Sequence, residues 1–533
     1  MRRPLPIFLS ALFAAVMVAA ALLQSCATRE ADQAIASAIR KQVVGKTGWF
    51  RKRATVDDDD IQPSVRAFYK QRRYLPAWTH IDGPTHDARA LLKRIGEAPA
   101  DGLDPKNYDF ERLTELMEAL QPGVPMTKGG EPVDMASLDV ELTRNFLKYA
   151  THLATGQVNP LQLPADWHVQ QRKRDMTPVL AEAVSKHRVD PMLESVAPRA
   201  AQYATLKRGL AEYRELAARR DSARTSRKSA PGPDAATLAR RIRMIELNME
   251  RWRWVPDSLL EDRYVMVNIP DFSLRVVEGN RTALAMRVVV GKEFSRTPMF
   301  TDEITYMVLN PTWNVPASIA ADEILPEVQK DRSYLARNNM RVFSNETDDA
   351  TELDPSEVDW SDLSPEDFRY AIRQDPGPAN PVGHVKFMCP NQFNVYLHDT
   401  PADQLFSRTA RDFSHGCIRL EKPVDFAVYL MKDKGWGPAN VTAAFDSAHN
   451  TSIKVPKPLP VRIFYWTVFS DEHNVLQFRD DVYGLDDLLD HSLRGRRTDI
   501  QQPVRTALLI HAPKTDPASN TRPRTRSARK RAA

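Results

Sequence analysis

Residues 413–420 read FSHGCIRL and set His415, Gly416 and Cys417 side by side in a chain with three cysteines. Such a thiol is a buried hydrophobe, a metal ligand, half of a disulfide or a nucleophile. Ser414, His415 and Gly416 are poor core-strand residues, which weakens the first reading. Gly416 lets the backbone turn sharply and lets a substrate approach, and it leaves nearby amides free to serve as an oxyanion hole. A metal site needs three or four ligands. His384, Cys389, His398, His415 and Cys417 are available, but no C-x₂-C or H-x₃-H pair stands among them. Cys389 sits in the apolar run KFMCP, where any small hydrophobe would serve, so a 389–417 disulfide is an option without a necessity. No metal and no cofactor is expected.

A nucleophilic thiol has an ordinary pKa of about 8.5 and needs a base or an electropositive setting. The best base is His398 in NVYLHDT, at a strand end that opens into a Thr-Pro loop. His415 competes, being two residues from Cys417, and is read as a positioning residue. The group that orients the His398 imidazole is either the Asp399 carboxylate or a nearby backbone carbonyl. Arg419 either holds the loop by hydrogen bonds or stabilises charge, and the loop role is the simpler.

These residues need a β framework, and the hydrophobic period supplies one. From Arg263 onward apolar residues alternate with a period of two. Strands are predicted near 264–269, 273–277, 283–290, 304–309, 385–388, 394–397 and 463–469. An acidic stretch at 318–378 interrupts them and reads as an inserted capping subdomain; long insertions near a site often act as lids. Upstream, residues 61–218 repeat apolar positions at spacings of three and four, as in Leu138, Leu142, Phe146 and Leu153. The fold class is therefore multidomain α+β: a helical scaffold domain, then a β-rich catalytic domain. The remaining divisions are a polar linker at 26–60, a Ser/Arg/Pro linker at 219–236, a connecting helix at 237–261, a catalytic domain at 262–447, a strand extension at 448–498 and a basic, disordered tail at 499–533.

The whole chain of 533 residues is ordinary in composition, and a net charge of +5 is too small for its size to suggest a nucleic-acid partner. The N-terminus carries Arg2-Arg3, an apolar run from Leu5 to Leu23, and Leu23-Gln24-Ser25-Cys26. This is a signal peptide over 1–25. Three readings stay open: a lipoprotein acylated at Cys26 and so anchored to a membrane, an ordinary cleaved export signal, or an uncleaved anchor. Each places the body of the protein in the periplasm or cell envelope; Ala27 after Cys26, where an Asp is absent, resembles the outer-membrane sorting pattern of bacterial lipoproteins.

With His398 followed by SHGCIR at 414–419, the chain resembles the L,D-transpeptidases, bacterial cell-wall enzymes with a YkuD-type catalytic domain. PTWNVPASI at 311–319, PGPAN at 376–380, DGLDP at 101–105, LDV at 138–140 and ELNMERWRW at 246–254 resemble the larger YcbB-type subfamily. The similarity spans most of residues 60–490. It implies Cys417 as nucleophile, His398 as proton donor and acceptor, and Ser414, His415, Gly416, Arg419 and Asp399 in support. Trp313 and Tyr396 are implied as groove residues. It implies peptidoglycan stem peptides as substrates, a donor tetrapeptide acylating the thiol and an acceptor amine forming a 3→3 crosslink. The family's small peptidoglycan-binding module has no counterpart here, since only the linker lies between Leu216 and Thr237. Hydrolysis at the same site, attachment of a protein to the wall and a non-catalytic envelope scaffold are the rival readings.

Overall fold

A computed structural model describes residues 29–44, 56–120, 131–171, 174–225, 232–260, 263–279, 281–347 and 349–495. The expected signal peptide, Cys26 and the basic tail lie outside the described residues. The described chain divides into two compact units, one holding residues up to 313 together with 376–495, the other holding 314–375.

The helical half of the first unit is built from α1 (residues 29–44), α2 (Val56–Gln71), α3 (His86–Gly96), α4 (Phe110–Ala119), α5 (Glu131–Thr155), α6 (Thr177–Ser185) and α7 (Val189–Glu194). The polar linker expected at 26–60 is thus corrected. Ile35, Ile39 and Val43 recur every four residues, form one face of α1 and are buried in the helical core. Mean polarity hides this narrow stripe. The run of four aspartates at 57–60 lies near the start of α2. On α5 the predicted apolar positions Leu138, Leu142, Phe146 and Leu153 are all buried. Asp139 is buried among them because its carboxylate takes hydrogen bonds from the N–H groups of Ala77, Trp78 and Thr79 (2.7–3.0 Å) and from the Tyr69 hydroxyl (2.7 Å). It pins the 77–79 segment to the helix.

Two further helices belong to a different core. α8 (Ala201–Thr225) and α9 (Ala235–Trp254) bury Leu206, Leu210, Ile245, Met249 and Trp252 in the same cluster as the sheet strands. Where a connecting helix over 237–261 was expected, α9 is an interior helix that ends at Trp254, and its Trp252 ring stacks on Trp466 at 4.4 Å. The linker at 219–236 shortens as well. Arg, Ser and Ala do not break a helix, so α8 continues to Thr225. Asp234 opens α9 by accepting the Thr237 N–H at 2.7 Å.

Among the described residues the main sheet has nine strands: β1 (Arg263–Asn268), β2 (Ser273–Glu278), β3 (Arg281–Gly291), β4 (Thr301–Leu309), β5 (Val385–Met388), β6 (Leu397–His398), β7 (Asp412–Ser414), β8 (Ile418–Leu420) and β9 (Thr451–Phe464). Their order is β7-β3-β8-β6-β5-β4-β9-β1-β2, with a further β2–β3 pairing. The extension expected at 448–498 is corrected by β9, which lies inside the sheet, antiparallel to β4 and parallel to β1. Pro456, Pro458 and Pro460 have no N–H to give an interior ladder. The register shifts between Lys454 and Leu459, a local irregularity that accommodates Pro456 and Pro458. The sheet thus continues past 447. α10 (Pro423–Met431), α11 (Pro438–Asp446) and α12 (Leu485–Leu493) bury Phe426, Leu430, Val441 and Leu488 in the same core.

The second unit, 314–375, differs by a few residues at each end from the insertion expected at 318–378. It carries a short antiparallel sheet of Met340–Phe343, Ala371–Gln374 and Glu352–Leu353, with Leu325, Val328 and Trp360 buried.

Candidate functional site

The site rests on the pairing of β6 with β8. The two run parallel, Leu397 beside Ile418 and His398 beside Arg419. Successive strand residues face opposite sides. Leu397, Ile418 and Leu420 are buried toward the core. Tyr396, His398 and Arg419 therefore share the other side, and Cys417, two residues before Arg419, joins them. On the next strand Lys386 lies opposite His398 while Val385 and Phe387 point inward. Alternation alone thus gathers a thiol, an imidazole, a phenol and two cations.

His398 is buried, and its Nδ1–H donates to the Asp399 carbonyl at 2.5 Å. A carbonyl only accepts, so this bond fixes the tautomer and leaves Nε2 with its lone pair. The open choice of orienting group falls to the backbone. The Asp399 carboxylate is engaged elsewhere, accepting the N–H of His384 and of Thr400, each at 2.7 Å. Burial, with Arg419 and Lys386 nearby, lowers the His398 pKa to about 3, so the ring is neutral near pH 7.

Cys417 is a half-buried free thiol, 3.7 Å from the Asn394 carbonyl. Burial raises its pKa above the ordinary thiol value; bonding to Tyr396 and the charges of Lys386 and Arg419 act the other way. The Lys386 ammonium lies 4.1 Å from the centre of the Tyr396 ring, and burial lowers its own pKa. Arg419 makes no hydrogen bond through its buried Nε among the described residues, and its pKa is lowered by burial and opposed by Cys417. The loop-holding role expected of it is not what this Nε does. Its field falls on the thiol and on the imidazole.

Ser414 frames the turn: its hydroxyl donates to the Cys417 carbonyl at 2.6 Å and accepts the Gly416 N–H at 3.1 Å. Gly416 has φ of +111°, a region that residues with a Cβ rarely enter. His415 is exposed, and the Lys292 ammonium stands 3.0 Å from its Nε2. That contact occupies the lone pair a base would need. Cys389 is a second free thiol, buried and pushed up to about 12 by burial, 3.7 Å from the Val395 carbonyl. Trp313, half-buried at the end of the first unit, makes no ring or hydrogen-bond contact with Cys417 or His398 among the described residues. Sequence reasoning passed over Lys386 as a site residue. The signal was there: a lysine at the outward position of an otherwise apolar strand.

A helical half precedes a β-rich half in which His398 and Cys417 share one sheet face. Residues 262–441 match the family described as the L,D-transpeptidase catalytic domain (YkuD), and residues 63–210 match the Scaffold domain. The chain thus carries a YkuD-type L,D-transpeptidase catalytic domain behind a Scaffold domain, in keeping with the larger YcbB-like architecture. A Haemophilus influenzae protein named "Putative L,D-transpeptidase" is 26% identical over 426 residues, covering 80% of this chain and 78% of its own. A solved structure titled as the Ldtfm–avibactam carbamoyl enzyme aligns over 38% of this chain and 49% of its own, about half its length. At 14% identity and a TM-score of 0.18, that alignment is too weak to carry a likeness of fold.

Proposed function

We propose that the protein is an exported L,D-transpeptidase that forms 3→3 peptidoglycan crosslinks through a Cys417 thioester. The observation that carries this reading is the neutral His398, its Nδ1–H held by the Asp399 carbonyl, on the same sheet face as Cys417. The Cys417 sulfur attacks the carbonyl of the third stem residue, meso-diaminopimelate in most such walls, as its proton passes to His398 Nε2. The thiol pKa is raised, so proton transfer accompanies attack instead of preceding it. The imidazolium then protonates the departing D-Ala amine as the C–N bond breaks, leaving the thioester. The side-chain amine of an acceptor stem attacks the thioester, gives its proton to His398, and the thiol is restored with that proton. Amides around Gly416 and Cys417 stabilise the oxyanion in both steps. Export rests on the N-terminal basic and apolar run, and membrane attachment rests on Cys26 as an acylation site.

The test is incubation with tetrapeptide muropeptides, followed by mass spectrometry of the protein and of the products. The expected results are a Cys417 acyl adduct, released D-Ala and 3→3 dimers, with no adduct on Cys417→Ala. An adduct that persists in Cys417→Ala overturns the assignment of the nucleophile. Tripeptides without dimers turn the reading to hydrolysis.

A further inference from the structure

The nucleophile loop is braced by Thr297, and Thr297 is held in turn by a residue that lies beyond the matched catalytic domain. The Thr297 hydroxyl donates to the Gly416 carbonyl at 2.8 Å and accepts the Gly291 N–H at 2.9 Å. The Tyr483 hydroxyl donates to the Gly291 carbonyl at 2.6 Å and accepts the Thr297 N–H at 3.2 Å. Thr297 is 1% exposed and Tyr483 2%, so none of these groups has water as a ready substitute. Tyr483 is itself fixed. Its N–H donates to the Tyr465 hydroxyl at 2.9 Å, which donates to Asp481 at 2.6 Å. Asp481 in turn accepts the first N–H groups of α12, from Leu485 and Asp486, each at 2.8 Å. Tyr483 lies 42 residues beyond the end of the match at 441.

The consequence follows from peptide geometry. The C=O and N–H of a trans peptide lie in one plane and point in opposite directions. Holding the Gly416 oxygen on Thr297 therefore aims the Cys417 N–H away from Thr297. Ser414 holds the peptides on either side. Gly416 alone would not hold that plane, since glycine is the most freely rotating residue.

We infer that Thr297 and Tyr483 are positioning residues that set the direction of the Cys417 N–H as an oxyanion donor, so that the C-terminal segment completes the acyl-transfer site. The inference rests on Cys417 being the acylated thiol. Neither residue touches substrate; both act through the Gly416 peptide.

The experiment compares two reactions of one sulfur in the full chain. Acylation by a carbapenem passes through an oxyanion, whereas alkylation by iodoacetamide does not. In Thr297→Val, which keeps the shape of the side chain and removes its hydroxyl, acylation is expected to slow by about one to two orders of magnitude. Alkylation should stay within about twofold, since the thiol's surroundings are kept. Thr297→Ser should restore most of the acylation rate. Tyr483→Phe should slow acylation in the same selective way, which keeps the inference testable if Thr297→Val folds poorly. Equal acylation of the native chain and both variants overturns it, as does a parallel fall in alkylation. Failure of the native chain to acylate while it alkylates normally overturns the Cys417 reading and this inference together.

Discussion

At the residue scale the site holds a neutral imidazole, a neutral thiol and two cations brought close by strand alternation. Arg419 is the residue whose removal is most informative. Its charge favours the thiolate and disfavours the imidazolium. In Arg419→Gln the thiol pKa should rise further above its already raised value. The pH profile of iodoacetamide alkylation should then move to higher pH, and a move of about one on the pH scale should cut the rate at neutral pH about tenfold. An unmoved profile would return Arg419 to the loop-holding role. Below neutrality, acyl transfer should not be lost by protonation of His398 until near pH 3, where its lowered pKa lies.

At the scale of elements, the decisive strand is β9. Val461 on it is fully buried, beside Val265 on β1 and Asp302 on β4. Val461→Asp places a carboxylate in the apolar core between the strands. It should lower unfolding stability by about 3 kcal/mol or more, read by urea titration. If β9 were a dispensable extension, the midpoint would not move. The same strand explains why α10 and α11 cannot close the domain. They cover a sheet that is incomplete until residues 451–464 enter between β4 and β1.

At the scale of the whole first unit, Asp101 of the DGLDP stretch joins the helical core to the sheet's core. Its carboxylate meets Arg94 of α3 and Lys207 of α8, each at 2.6 Å, and the Tyr149 hydroxyl of α5 at 2.9 Å. Its carbonyl is held by Arg253 of α9. Burial acts to raise the Asp101 pKa, but Arg94 and Lys207 outweigh it and leave the carboxyl below the usual value. A depressed carboxyl pKa stabilises the fold above the unfolded-state value of about 3.9, and that contribution is lost as pH falls through the folded-state pKa. Asp101→Asn should therefore lower the melting temperature at pH 7 and flatten its acid limb. The Tyr149 bond survives in part, but two cations lose their counter-charge, so the cost is about 3 kcal/mol. An unchanged acid limb would remove Asp101 from this role.

The site was legible in sequence to the extent that its chemistry is local. SHGC at 414–417 and the His398 strand end lie on short segments whose residue types have few other uses. The helix faces of α5 and the strand positions of β1–β5 were legible because burial of one face imposes a period. Other features were not legible because they depend on which partner the folded chain brings to each group. A carbonyl instead of the Asp399 carboxylate orients His398, because the carboxylate closes the turn at His384. Lys292 meets His415, Thr297 and Tyr483 brace the Gly416 peptide, and β9 takes an interior place despite its prolines. Periodicity reports which side of an element is buried and says nothing of which element covers it. By itself the sequence singled out the residues proposed to carry the chemistry and the strands that present them. Only the tertiary structure decided how the Gly416–Cys417 peptide plane is held, because that direction is set by hydrogen bonds between segments more than a hundred residues apart.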